Sequence, residues 1–389
     1  MMQPKVTYDI IFIKKLTIGG KMSNPRLDRL LVTMREQKLP FVAINPGFNL
    51  NYLTGLNFHL MERPVVLFIR QDGKSALVLP ALEVTRAEKA EACERLFPYS
   101  DDPSTWKNAF QAAADFLQIT RESIGVEANQ FRFLEMEFVQ NSAPSAKIIS
   151  AAKVFSTLRL YKDQQEIDNM QEAARIAEAG LQQTLPLIKI GMSETEISSE
   201  LSLQCLRAGA QGEFPFQPIV ASGPNSADPH ATPGERKIAP GDILLFDWGV
   251  RFQGYASDIT RCFAVAQIDP KMGKIAGIVK TANEAGRIAA RPGISTGEVD
   301  VATRNVIEQA GFGEYFTHRT GHGLGMNAHE DPYIFSENKQ SLQPGMVFTV
   351  EPGIYIPGKG GIRIEDDVVI TENGSFSLTS MERSLKVIA

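Results

Sequence analysis

Cysteine is scarce in this 389-residue chain, and that scarcity excludes two classes at once. Cys93, Cys205 and Cys262 are odd in number, far apart and never in a C-x-x-C pair, so neither a disulfide framework nor a thiolate metal site is expected. This usage fits a reducing cytoplasm. Long hydrophobic runs are also missing: no stretch approaches the ~18 apolar residues of a membrane-spanning helix. A basic excess is absent too. The balance of 40 Lys and Arg against 45 Asp and Glu gives a net charge of −5, which argues against nucleic acid as a partner. At the N-terminus, Ile10-Ile11-Phe12-Ile13 is too short for a secretory apolar region, is followed by Lys14 and Lys15, and precedes no small-residue cleavage site. Residues 1–21 therefore read as a loosely attached extension, with Met22 an alternative start.

What is present is ordinary globular usage, 43% hydrophobic and 22% charged. A single core rarely grows past ~250–300 residues, so two domains are expected. Residues 26–37 place Leu30, Leu31 and Met34 at helical spacing, and Phe41-Val42-Ala43-Ile44 reads as a buried strand stopped by Asn45-Pro46-Gly47. Apolar runs at 65–69 and 75–79 flank Asp72-Gly73, a hairpin signal because this pair tolerates the positive φ of a tight turn. Residues 104–117 look helical. The texture changes near Arg159 to Lys162, before an amphipathic helix over 166–181, and the boundary is expected between 150 and 160.

The second half carries a weak repeat. Gly191, Ser193, Glu196, Ala208 and Gly209 recur as Gly293, Ser295, Glu298, Ala310 and Gly311, each at an offset of 102 residues. Each copy is a Ser-x-x-Glu capping box opening a helix that ends near Ala-Gly. Two related α/β halves about a pseudo-two-fold axis account for this most economically, and a site at their seam is then natural. Gly293-Ile294-Ser295-Thr296-Gly297 also fits the G-x-S-x-G nucleophile elbow. That elbow must follow a strand, whereas residues 281–290 look helical, so Ser295 is read as an N-cap.

Four of the five histidines fall in two short stretches that carry glycine or proline: His230, then His318, His322 and His329. Gly321, Gly323 and Gly325 cost a helix ~1 kcal/mol each, so the His318/His322 spacing belongs to a loop or strand. The acidic residues say more. With a hairpin centred between Phe252 and Gln253, Asp247 faces Asp258 directly, Cβ atoms about 4.5–5.5 Å apart. A second hairpin centred on Gly358 sets Glu351 opposite Glu365, with Arg363 on the same strand face as Glu365. Like charges directly opposite destabilise a sheet, and a divalent cation supplies a reason for them. Four carboxylates and an imidazole form a hard donor set able to hold two divalent ions, with manganese favoured and cobalt, zinc or iron also accommodated.

At these residues the chain resembles the pita-bread-fold metallopeptidases, the Xaa-Pro aminopeptidases and prolidases (Xaa-Pro dipeptidases). The resemblance runs from about Met22 to the end and rests on Asp247 with Asp258 in D-x-G…D-I-T-R, His322 in T-G-H-G-L-G, Glu351 in V-E-P-G-I-Y and Glu365 in G-I-R-I-E-D. It implies an α/β (α+β) chain: a smaller mixed creatinase/prolidase-like N-terminal domain over 22–152 and a pita-bread catalytic domain over 157–389. It implies two divalent ions held by Asp247, Asp258, His322, Glu351 and Glu365, with Glu351 also the general base. His230 and His329 match histidines that steady the intermediate and assist the leaving nitrogen. His318 and Arg363 match positions near the proline-side pocket, and Thr260 is expected to support the ligands from behind. The implied activity is hydrolysis of Xaa-Pro bonds in short peptides by a metal-activated water, in a cytoplasmic homodimer. Alternatives are hydrolysis of a non-peptide C–N bond and a non-catalytic binding scaffold.

Overall fold

The computed structural model describes residues 24–90 and 92–389; the expected extension over 1–21 and the start at Met22 lie outside them. The described residues divide into two compact units, 24–159 and 160–389.

In the first unit, Asn24 accepts from the amides of Arg26 and Leu27, and Pro25 opens α1 (Pro25–Glu36), a standard N-terminal arrangement. There follow β1 (Phe41–Ile44), α2 (Phe48–Thr54), β2 (Val66–Arg70), β3 (Ser75–Pro80), α3 (Val84–Ala87), β4 (Arg95–Tyr99), α4 (Pro103–Leu117), β5 (Ser123–Val126), α5 (Phe133–Ser142), β6 (Lys147–Ser150) and α6 (Ala152–Leu158). The strands form one mixed sheet in the order β4-β3-β2-β1-β5-β6. Strands β2 and β3 pair antiparallel around Asp72-Gly73, where Gly73 takes φ +95°. Phe110, Ala113, Ala114 and Leu117 of α4 are buried in the core cluster that also contains Phe68, Val78 and Ile124 of the sheet.

The second unit begins with α7 (Gln164–Thr184) and α8 (Glu194–Ala208), then β7 (Ile219–Ser222), β8 (Ile243–Trp248), β9 (Arg251–Phe252), β10 (Tyr255–Ala256) and β11 (Ile259–Val265). Helices α9 (Pro270–Ala289) and α10 (Thr296–Gln309) follow, then β12 (Gly321–Gly323), β13 (Glu330–Ile334), β14 (Val347–Val350), β15 (Gly353–Ile356), β16 (Gly360–Arg363), β17 (Asp366–Thr371), β18 (Gly374–Ser377) and β19 (Lys386–Ile388). Two larger sheets result, ordered β19-β11-β8-β7 and β13-β12-β14-β17-β18.

The repeat is written into the backbone hydrogen bonds. Ser193 and Ser295 both close reciprocal capping boxes, with Glu196 and Glu298 respectively. Gly191, Glu194 and Thr195 donate to the carbonyls of Ile238, Arg236 and Gly234. Gly293, Thr296 and Gly297 donate to those of Leu342, Gln340 and Asn338. One strap thus runs along the start of α8 and its counterpart along the start of α10. Ser295 is an N-cap, and the elbow reading falls away.

One register differs from the expectation. Gln253 and Gly254 both take positive φ, 48° and 83°, which makes them the two central residues of the turn, so Phe252 pairs with Tyr255. The hairpin centre moves by one residue, and Asp247 faces Thr260 rather than Asp258. Asp258 is instead the diagonal neighbour on the same face, still within reach. The second hairpin keeps the expected register: Gly353 pairs with Arg363 on one side of the Pro352 break, and Val350 with Asp366 on the other. Glu351 and Glu365 occupy that break, opposite each other by count.

Candidate metal centre

Four apolar strand runs begin, end or break at a carboxylate, and these points coincide. Asp247 lies near the end of β8, Asp258 just before β11, Glu351 between β14 and β15, and Glu365 between β16 and β17. An isolated bridge between Thr260 and Glu365, with the Glu365 amide 3.2 Å from the Thr260 carbonyl, stitches the two hairpins together. The glycine-rich strand β12 brings His322 in from the side.

Donor atoms of Asp247, Asp258 and Glu365 lie within 4.8 Å of one another, as do those of His322, Glu351 and Glu365, and those of Asp258, His322 and His329. The groups share Asp258, His322 and Glu365, so they form one continuous centre. Asp258, His322 and Glu365 are buried, at 4%, 3% and 2% exposure. His322 Nε2 is 3.4 Å from Glu351 Oε1 and 3.8 Å from Asp258 Oδ2.

The hydrogen bonds around the centre orient these groups without saturating them. His322 Nδ1–H donates to the Gly323 carbonyl at 3.1 Å, which leaves Nε2 with its lone pair aimed at the carboxylates. Thr260 Oγ1 donates to Glu365 Oε2 at 2.6 Å, and Thr349 Oγ1 to Glu351 Oε1 at 3.2 Å. Asp247 Oδ2 accepts from Arg363 Nη2 at 2.5 Å, whereas Asp247 Oδ1 is buried with no partner. An unmet buried oxygen of this kind costs about 1–3 kcal/mol, more when charged.

Burial pushes all four carboxyls upward. Asp258 rises well above its usual range through burial and the proximity of Glu365 and Asp247. Glu365 does the same through burial and Glu351. Burial raises Asp247, with Arg363 opposing it, and lifts Glu351 to about 7. His322 is held well below its ordinary value by burial and by His329, whose ring stacks on it at 3.7 Å. Mutually repelling carboxyls, one orphaned oxygen and a deprotonated imidazole nitrogen fit divalent cations, which neutralise the first two and coordinate the third.

A cavity of 640 Å³ opens onto the centre, and His230, His318, Arg319 and His329 line it together with the five donors. His230 and His329 are exposed. Arg363 is buried and largely committed: Nε donates to Thr260 Oγ1, Nη1 to Tyr355 Oη and the Pro229 carbonyl, and Nη2 to Asp247. One of its five N–H groups is left. Tyr355 Oη lies 2.8 Å from His318 Nε2, and His318 Nδ1 lies 2.8 Å from the Arg319 carbonyl. Sequence reasoning anticipated Thr260 but gave Tyr355 no role. The signal was there, since a tyrosine in an otherwise apolar strand needs a partner for its hydroxyl.

Comparison with known proteins agrees with this geometry. The model of metallopeptidase family M24 matches residues 168–372, and that of the creatinase/prolidase N-terminal domain matches residues 26–161. The chain belongs to metallopeptidase family M24. Among relatives of this M24 chain, an Xaa-Pro dipeptidase from Lactobacillus helveticus is 33% identical over 93% of the chain and 98% of its own length. A dipeptidase structure from Pyrococcus horikoshii OT3 superposes with TM-score 0.88 at 37% identity, covering 93% of the M24 chain and 100% of its own. A prolidase structure from Thermococcus sibiricus gives TM-score 0.86 at 33% identity, covering 95% and 100%. The fold is therefore the creatinase-type N-terminal domain followed by the pita-bread domain.

Proposed function

We propose that this M24 enzyme hydrolyses Xaa-Pro bonds in short peptides, as a dipeptidase or aminopeptidase, with two divalent ions held by Asp247, Asp258, His322, Glu351 and Glu365. The observation that carries the reading is the overlap of three donor groups on one cavity, with Asp247 Oδ1 unmet. Manganese suits the oxygen-dominated set. Such ions, when bound, polarise the scissile carbonyl and acidify a water molecule.

The chain's own residues supply the remainder. Glu351, its carboxyl pushed up to about 7, takes a proton from the attacking water and delivers it toward the departing imino nitrogen. His230 and His329, on the exposed side of the cavity, donate to the tetrahedral oxygen and to the leaving nitrogen. Partial burial, then Arg319, holds His329 below its ordinary value. Arg363 orients Asp247 and offers its remaining N–H to the substrate carboxylate, while His318 forms the adjoining wall. An Xaa-Pro bond is a tertiary amide with no N–H to recognise, so protonation of its nitrogen and polarisation of its carbonyl address its particular difficulty. No helix among the described residues is long and apolar enough to cross a membrane. A cytoplasmic homodimer completes the proposal.

The test is a panel of Ala-Pro, Ala-Pro-Xaa and Ala-Ala with Mn²⁺, Co²⁺ or chelator. Ala-Pro or Ala-Pro-Xaa turns over, EDTA abolishes turnover, Mn²⁺ restores it, and Ala-Ala is spared. Chelator-resistant turnover, or equal cleavage of Ala-Ala, would contradict the proposal.

A further inference from the structure

Away from the metal centre, a second cavity of 370 Å³ lies between the last turn of α9 and the edge strand β18. Its lining includes Arg287, Arg291, Asn373, Ser375 and Ser377. At roughly 30 Å³ per water, it has room for about a dozen, enough for a small oxyanion with an organic substituent. Its walls are tied together, since Ser375 Oγ donates to the Arg287 carbonyl at 3.2 Å.

Behind this cavity, arginines crowd one buried carboxylate. Fully buried Asp366 is approached by three guanidinium groups: Arg261 at 2.8 Å, Arg383 at 2.7 Å and Arg287 at 3.6 Å. Arg261 and Arg383 hydrogen-bond to its oxygens; Arg287 does not. Arg287 spends only its Nε on a hydrogen bond, to Asn283 Oδ1 at 2.8 Å. Its two terminal nitrogens have no partner among the described residues, although its side chain is only 24% exposed. Burial, with Arg383 next in weight, holds the Arg287 guanidinium below its ordinary range, against the opposing pull of Asp366 and Glu284. Arg291, four residues on, makes no hydrogen bond or ion pair among the described residues, and it lines the same cavity.

Basic residues near a helix C-terminus complement the dipole whatever else they do. That ordinary reading accounts for the positions of Arg287 and Arg291. It leaves open what the solvent-reached terminal nitrogens of a partly buried guanidinium bind in a cavity that a second arginine also lines. We propose that the cavity is an anion site, in which Arg287 and Arg291 grip the oxyanion of a small phosphorylated compound or a carboxylate. A guanidinium fork pairs with such groups through two parallel hydrogen bonds, and the ligand adds negative charge beside the two arginines.

Isothermal titration of the metal-loaded enzyme with inorganic phosphate, and separately with acetate, tests the site. Phosphate binds the parent chain at a site that Arg287→Gln/Arg291→Gln weakens at least tenfold, and Arg291→Gln alone by a smaller factor. The surface position of Arg291 guards against a folding artefact. Both variants retain Ala-Pro turnover within twofold, because neither residue lies at the metal centre. Acetate that competes equally assigns the site to carboxylates; phosphate that excludes acetate assigns it to phosphorylated ligands. Phosphate isotherms identical in the parent and both variants, or no saturable binding in the parent, would overturn the proposal.

Discussion

Thr260 shows how much of a buried acidic centre depends on neutral groups. Its hydroxyl donates to Glu365 at 2.6 Å while accepting from Arg363 Nε at 3.0 Å, so one oxygen fixes both a carboxylate and the guanidinium that holds Asp247. Thr260→Val preserves shape and removes both bonds. Supporting partners of this kind are worth about 10–100-fold in metal affinity, and Thr260→Val is expected to lose that much, read by titration with Mn²⁺, with the fold retained by circular dichroism. Thr349 plays the matching part for Glu351. In the proposed chemistry Glu351 is both a donor to the centre and the proton carrier, so Glu351→Ala is expected to lower turnover of Ala-Pro by at least about 10²–10⁴-fold. Parent-like kcat in that variant would remove Glu351 from the chemistry.

At the scale of elements, the sequence is most legible where the local pattern and the tertiary need agree. The capping boxes at Ser193 and Ser295, the hairpin at Asp72-Gly73 and the Gly353–Arg363 register all follow from residues a few positions apart. The Asp247 hairpin is centred one residue beyond the expected place, because the identity of the turn residues rests on Gln253 accepting a positive φ that few non-glycine residues adopt. The crowd of arginines at Asp366 was not legible, since Arg261 reaches it from 105 residues away along the chain. Gly249 is a further case. A Cβ there would lie 1.9 Å from the Ser257 carbonyl oxygen, in the link between β10 and β11 that delivers Asp258. Gly249→Ala forces the two strands apart and is expected to cost about 1–3 kcal/mol, seen as a lower urea midpoint, together with weaker Mn²⁺ binding. An unchanged midpoint would mean that the hairpin yields freely.

For the whole molecule, stability and function pull on the same buried groups. Burial, with Arg363 next, lowers His318 to about 4, against ~6.5 in an unfolded chain. A depressed folded pKa means that the native state binds fewer protons than the unfolded one. Its stability is complete above pH 6.5, erodes as the pH falls through that window and levels off near pH 4. The full loss is about 3 kcal/mol at 1.36 kcal/mol per unit. His318→Gln should flatten this part of the profile in urea denaturation followed from pH 7 to pH 4; an equal slope in parent and variant would assign the acid lability elsewhere. Four carboxyls and an imidazole gathered below the surface likewise cost stability unless something draws them together, and this is the claim on which the functional reading stands. Anomalous diffraction from crystals soaked in Mn²⁺ tests it directly. The account predicts two peaks, about 3.5–4 Å apart, within coordinating reach of Asp247, Asp258, His322, Glu351 and Glu365. A map with no peak among these five side chains, or with manganese bound only elsewhere, would contradict it.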